Sequence, residues 1–392
     1  MNRNDITVEV KHPKLRTVAF FIALAVAVCS FAGGIYFWVH NDPGWFDIGL
    51  DSNETAPLYA DGVALRFYLD GKSNDIRVAK TEIKKLCSER LSRYYMLFDG
   101  AEMYPDVVNL ASVNQTPGAW VALPDEVYEV LCDAWAKTQK HEGYSVLAGA
   151  LNEFWQTQLY LTDPQATDPL LDPDAKKACE ALAAAINDPN ELNLEFRDAS
   201  KEVRLTKSAS YVKLEEELAE AYGISGAVLD LGLLKESYLV AYTAQALADA
   251  GYDTGLFTTR GGLYYCMAGL DDAGTIDVMS YVDGEAGIIA EKPLAGGTVV
   301  SLRRAFPFET GEFGYYAVTA DGESALRSPQ VSALTGDVPD ERLAVYVKRE
   351  NADVLTASDA AYDSLIAFLG GTLPEEGECW YVLPDAPKTL LP

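Results

Sequence analysis

The sequence predicts an α+β fold, one mixed sheet-and-helix outer domain standing behind a single N-terminal transmembrane helix. Three observations predict it. Residues 17–39 form an uncharged apolar run that, at about 1.5 Å of rise per residue, is long enough to cross a bilayer core. Residues 227–269 spell strand, turn, helix, strand, turn, strand, marked by Gly232, Gly251 and the Gly261-Gly262 pair. Beyond residue 62 short apolar runs alternate with helical spacing, with no internal repeat and no second linker, as in one domain of mixed elements.

The leader carries Arg3, Lys11, Lys14 and Arg16 against Asp5 and Glu9, while Asp42, Asp47 and Asp51 follow the apolar run. The positive-inside rule then keeps residues 1–16 in the cytoplasm, makes 17–39 the anchor and places the rest outside the cell. A cleaved secretory signal shares this charge pattern. The run exceeds a usual signal core, however, and lacks a small-x-small exit site, so an uncleaved anchor is expected. Residues 40–61, rich in Asp, Pro, Gly, Ser and Asn without periodicity, are expected to be a linker, 62–386 the outer domain and 387–392 a tail.

Within that domain 63–69 reads as a strand and 76–94 as an amphipathic helix. Residues 96–118, with Asn109 and Asn114, read as irregular. A strand over 119–123 precedes a helix opening at Pro124-Asp125-Glu126, where proline and acids suit a first turn; His141 is expected near its end, on the surface. Residues 143–155 read as a turn and helix, and 164–173 as a loop. Helices follow over 174–187 and 211–222, with strands at 192–196 and 203–206. The apolar run 227–231 suits a buried strand. Leu233, Leu234, Tyr238, Leu239, Tyr242, Ala246, Leu247 and Ala250 then recur at helical spacing, and strands at 256–259 and 263–267 flank the Gly261-Gly262 turn. Further strands are expected at 275–281, 298–302, 314–318, 343–347 and 379–383, with a helix over 358–369.

The chain carries a net charge of −28, which makes nucleic acid an improbable partner and a basic protein surface or a divalent cation a better one. Cys87, Cys132, Cys179, Cys266 and Cys379 are odd in number, widely spaced and without a CxxC pair, so most are expected to be buried thiols, with room for one or two bridges. Nothing has the pattern of a Ser/His/Asp triad, a Walker loop or a paired-histidine metal site. Two local patterns carry chemistry. Glycine turns beside a helix start let a phosphate approach backbone N–H groups, though ordinary tight turns use the same residues. On the last helix Ser358 suits a cap, and Asp359 and Asp363, four residues apart, offer hard oxygens to Mg2+ or simply an acid-rich first turn that the helix dipole favours.

Taken in order, these motifs resemble the FAD:protein FMN transferase (ApbE) family across nearly the whole outer domain. LDLGLLKESY (229–238) resembles the family's Asp-Leu-Gly-Gly-Ile-Ala-Lys-Gly-Tyr segment and TTRGG (258–262) its Asn-x-Gly-Gly turn. VSALTGDVP (331–339) resembles its Ile-Asp-Pro-x-Thr-Gly-x-Pro loop, GALNEFW (149–155) its Gly-Pro-Leu-x-x-x-Trp element and SDAAYDSLIAFLG (358–370) its last helix. The resemblance implies an FAD cleft involving Asp230, Gly232, Lys235, Tyr238, Gly261, Gly262, Thr335 and Gly336. It puts Asp359 and Asp363 in the places of the family's Mg2+-binding Asp and Thr. It further implies transfer of FMN to a threonine of a partner, with release of AMP, the partner being a flavin-accepting membrane or extracytoplasmic redox protein at a bacterial cell membrane. The sequence departs from the family at several positions, Ser237 and Leu263 among them. Glu236 stands where the family has lysine, with Lys235 one place early; Thr259 replaces asparagine; and Pro329, Ser332 and Ala333 fall where the loop's His, Asp and Pro belong. No catalytic residue is therefore assigned. A catalytically silent flavin-binding or protein-interaction module of the same fold is the alternative reading.

Overall fold

The computed structural model describes residues 43–50, 62–160, 167–269, 273–309, 311–320, 323–339 and 341–392. The expected leader and anchor, and most of the linker, lie outside the described residues. Among the described residues no helix is long and apolar enough to cross a membrane. The chain forms two compact units. The described part of the smaller is residues 43–46 and Tyr68–Glu82; the larger comprises Asp47–Phe67 and Ile83–Pro392.

In chain order the first elements are β1 (Gly44–Asp47), β2 (Val63–Leu69), α1 (Ser73–Leu97), α2 (Leu110–Asn114), β3 (Val121–Ala122), α3 (Asp125–Thr138), α4 (Gly149–Tyr160), α5 (Pro173–Ile186), β4 (Leu192–Arg197), β5 (Glu202–Lys207) and α6 (Ala209–Tyr222). They are followed by α7 (Leu234–Asp249), β6 (Gly255–Thr259), β7 (Leu263–Cys266), β8 (Gly274–Val282), β9 (Glu285–Leu294), β10 (Thr298–Arg304), β11 (Tyr316–Ala320), β12 (Glu323–Arg327), β13 (Ala344–Glu350), α8 (Val354–Phe368) and β14 (Glu378–Val382).

The main sheet of the larger unit runs β2-β6-β7-β10-β13-β14, antiparallel at each pairing. In β2, Val63, Leu65 and Phe67 are buried and Ala64 and Arg66 exposed, the alternation of a strand with one face on the core. β10 is buried along its whole length, as a central strand covered on both faces must be. α8 packs on β10 and β13 and against α7. Ala305, Val345, Val347, Ala367 and Phe368 form the core between helix and sheet. A second sheet, β3-β5-β4, and the hairpins β8-β9 and β11-β12 complete the unit.

Several expectations change. Residues 227–231 are extended but join no sheet. Their backbone groups are taken instead by Val146, Gly149 and the Asn114 side chain, so an apolar run buried like a strand is bonded like a loop. The last helix begins at Val354, capped by Asp353, whose carboxylate accepts from the Thr356 N–H at 2.7 Å. Ser358 is therefore a buried residue inside the helix and not its cap. β9 escapes sequence reading because its residues are exposed or half-buried up to Leu294 and carry no apolar alternation; it is set by the Asp283-Gly284 turn, both residues at positive φ, as a tight hairpin requires. β1 lies inside the expected linker. At the C-terminus Leu391 pairs with Tyr381, so residues placed in a tail return to the sheet. Among the described residues Cys87, Cys132, Cys179, Cys266 and Cys379 are free thiols, and burial pushes the Cys266 and Cys379 thiols up to about 11.

Candidate functional site

The walls of a cavity of about 520 Å3 converge from four parts of the larger unit: the end of α1 with the turn after it, α4, the segment 225–235, and the loop after β12. The first wall is shaped by short polar side chains. Asp99, almost fully buried, accepts from the N–H groups of Ala101 at 2.9 Å and Glu102 at 3.3 Å and from the Tyr104 hydroxyl at 2.7 Å. Asn109 caps α2 and reaches back to the carbonyls of Met96 and Glu102.

The second and third walls touch through backbone. Gly149 opens α4, and its N–H donates to the Val228 carbonyl at 2.9 Å. A Cβ at Gly149 would stand 2.3 Å from the Ala227 carbonyl oxygen, so only glycine allows this approach. Asp230 turns its carboxylate to the Gly232 N–H at 3.0 Å and the Asn152 amide at 2.8 Å. Glu153 accepts from the Ser225 N–H and hydroxyl at 2.8 and 2.7 Å. Tyr95, Tyr144, Trp155 and Tyr160 supply aromatic surface. Lys235 is the one cation among the described lining residues, which also include Asp99, Glu102, Glu153 and Asp230. Its amine sits 4.3 Å from the Tyr95 ring centroid, and burial holds it below the ordinary lysine range, an effect that Asp99 and Asp230 oppose.

The fourth wall, Pro329, Val331 and Ala333, is held by a buried latch. Arg327 pairs with the fully buried Asp168 at 3.0 and 3.1 Å and donates to the Val338 carbonyl. Its guanidinium lies 5.5 Å from the centroid of the Trp155 ring, whose indole N–H donates to the Gly336 carbonyl at 2.9 Å.

No family model matches the sequence, and no curated protein matches it. Solved structures do. The ApbE protein of Thermotoga maritima is similar with a TM-score of 0.55 and 14% identity, over 84% of this chain and 93% of that one. The flavin transferase ApbE of Vibrio cholerae gives 0.54 and 13%, over 87% and 94%. The flavinyl transferase ApbE of Pseudomonas stutzeri gives 0.50 and 14%, over 89% and 93%. The chain has the ApbE flavin transferase fold.

On that fold the expected site residues separate. Asp230, Gly232 and Lys235 line the cavity. Tyr238 does not; its hydroxyl donates to Asp133 at 2.6 Å in a buried cluster with Lys137 and Ser358. Gly261 and Gly262 do not line it either. The Gly261 N–H, a group that a phosphate would need, already donates to Glu236 at 3.3 Å, while Arg303 donates to the Gly261 carbonyl at 2.9 Å. Glu236 thus occupies the glycine turn, and burial raises its carboxyl against the opposing pull of Thr259, Arg303 and the Gly261 N–H. Thr335 and Gly336 form the turn behind the fourth wall rather than its surface. Gly336 has φ +74°, and a Cβ there would meet the Cys179 carbonyl at 2.4 Å. Gly336→Ala is expected to cost about 1–3 kcal/mol by backbone strain, read as a lower midpoint in urea unfolding.

The two helix acids are engaged elsewhere. Asp359 pairs with Lys137 at 2.8 Å, and Asp363 pairs with Arg349. Asp359 lines a second, open cavity, bounded by Lys348, Arg349, Thr356 and Glu376 among others, and Asp363 lines neither. Among the described residues no group of three or more His, Cys, Asp or Glu is placed to hold a metal ion. Two carboxylates each neutralised by a cation do not fit a Mg2+ site. In a fluorescence titration with FAD, Asp359→Ala is accordingly expected to differ from the unchanged protein by no more than about twofold, with or without Mg2+. Sequence reading missed Tyr95, Asp99, Tyr144 and Glu153. The one available signal was Asn109 and Asn114 in a stretch without periodicity, since polar residues shape buried turns.

Proposed function

We propose that the first cavity binds FAD and that the protein is a membrane-anchored FAD:protein FMN transferase, moving FMN to a threonine of a flavin-accepting membrane or extracytoplasmic redox protein. The observation that carries this reading is an aromatic-walled cavity of about 520 Å3, inside the usual size range of ligand sites, in a chain with the flavin transferase fold. Tyr95, Tyr144, Trp155 and Tyr160 suit a planar heteroaromatic ring. Lys235 is the donor for a carbonyl or phosphate oxygen, and Asp230, fixed by Gly232 and Asn152, is an acceptor. In the transfer the threonine oxygen attacks the phosphorus on the FMN side of the pyrophosphate. The bond to the AMP phosphate breaks, AMP leaves with the electron pair, and the hydroxyl proton passes to a base. The Mg2+ dependence implied by the resemblance finds no support at Asp359 and Asp363, and no step is assigned to it. The anchor at 17–39 supports the membrane location through its length and flanking charge.

The second reading, a silent flavin-binding module, draws on the Gly261 N–H being capped by Glu236 and on the cation pairing of Asp359 and Asp363. Titrating the full chain with FAD, with and without Mg2+, tests what both readings share: saturable quenching of flavin fluorescence is expected. Lys235→Met is expected to weaken binding roughly tenfold, the loss of one charged hydrogen bond. AMP release with a candidate acceptor separates the readings. No FAD binding in any condition overturns both.

A further inference from the structure

Lys235 carries more than a charge into the cavity. Among the described residues no carboxylate lies within ion-pair reach of its amine, in contrast to Lys137, Lys207 and Lys348, which are all paired within 3.1 Å. The neighbouring group is instead the face of Tyr95, 4.3 Å from the nitrogen. Asp99 and Asp230 act on it only at longer range, and their oxygens are already taken by Ala101, Glu102, Tyr104, Gly232 and Asn152. The Tyr95 face and two distant carboxylates return only part of the hydration an ammonium loses on burial, so the balance shifts toward the neutral amine. A neutral lysine amine in an accessible cavity is a nucleophile.

We propose that Lys235 is a covalent carbonyl-binding site, whose Nζ forms an imine with an aromatic aldehyde held in the first cavity. The cavity selects the class. Four aromatic side chains line it and favour a flat ring. In the step the nitrogen lone pair attacks the carbonyl carbon and the carbonyl π pair moves to oxygen. The carbinolamine then loses one water, taking both nitrogen protons and the oxygen, to leave C=N. Nothing is oxidised or reduced. This inference stands apart from the FAD reading, although the two ligands would compete for one space.

The test is labelling of the full-length wild-type protein with benzaldehyde and sodium cyanoborohydride near neutral pH, where hydride traps the imine as a benzylamine, followed by peptide mapping by mass spectrometry. Lys235 is expected to label first, with a rate that saturates as benzaldehyde rises. The exposed Lys85, Lys177 and Lys213 are expected to label more slowly and without saturation. The saturable fraction is expected to vanish in Lys235→Met. Labelling of Lys235 no faster than that of the exposed lysines, or without saturation, overturns the proposal, and the wild-type map alone decides this even where the variant does not fold. Protection by FAD would place both ligands in one cavity. Saturable labelling that FAD leaves unchanged would keep the carbonyl site and count against the FAD reading alone.

Discussion

Replacing Asn114 by alanine is expected to destabilise the larger unit by roughly 3–5 kcal/mol, read as a fall in the urea midpoint at constant slope. Asn114 is a nearly buried residue at the end of a five-residue helix and makes four bonds with one amide. Its oxygen accepts from the N–H groups of Val228 and Leu229 at 3.2 and 2.7 Å. Its nitrogen donates to the carbonyls of Gly100 and Leu229 at 2.7 and 3.0 Å. Val228 and Leu229 are fully buried, and this stretch has no neighbouring strand to supply a ladder. Alanine would strand those groups at about 1–3 kcal/mol each, with water entering from the cavity to recover part of the loss. The same bonds tie the turn at 99–102 to the segment carrying Asp230, so two cavity walls separate together. Asn114→Asp sharpens the test. It keeps the acceptor for both N–H groups but aims an oxygen at two carbonyls, a conflict that grows as the carboxyl ionises. Its stability is expected to fall as pH rises, whereas that of Asn114→Ala shows no such trend.

This network shows where sequence reading reached and where it stopped. The order of helices and strands was legible because apolar spacing survives in α3, α5, α7 and β2, each of which buries one face. Asp230, Gly232 and Lys235 were legible as a group because a turn between an apolar run and a helix start must lie near a sheet or helix end. The remainder depends on partners far away in the chain. Asp359 and Asp363 share a helix face that could hold a cation, and so they do, but the cations are Lys137 from α3 and Arg349 from β13. The Gly261-Gly262 pair looked open to a phosphate until folding brought Glu236 from 25 residues earlier onto its N–H. The run 227–231 had the composition of a strand; what decided otherwise was one asparagine amide, 114 and 115 residues before its backbone partners Val228 and Leu229.

Arg327→Met is expected to cost about 3–5 kcal/mol, because it removes the cation from a carboxylate that has no access to water. Asp168 is fully buried; without Arg327 its partners among the described residues are the Tyr316 hydroxyl at 2.7 Å and the Leu170 N–H at 2.8 Å. Part of the cost belongs to the stranded charge rather than to the pair, and a double-mutant cycle separates the two. Asp168→Asn added to Arg327→Met is expected to recover stability, with a coupling of roughly 1–3 kcal/mol. Additive losses would mean that the pair contributes no more than its separate side chains. The cycle also reaches the site. Arg327 holds the loop through Val338 and Asp337 and lies over Trp155, while Pro329, Val331 and Ala333 of that loop form the fourth wall of the cavity. If the cavity binds FAD as proposed, a loosened latch should therefore weaken that binding at temperatures where the variant remains folded, and the double variant should recover less of this affinity than of its stability. Asparagine can relieve the stranded charge. It cannot replace a guanidinium that spans Asp168, the loop and the indole at once.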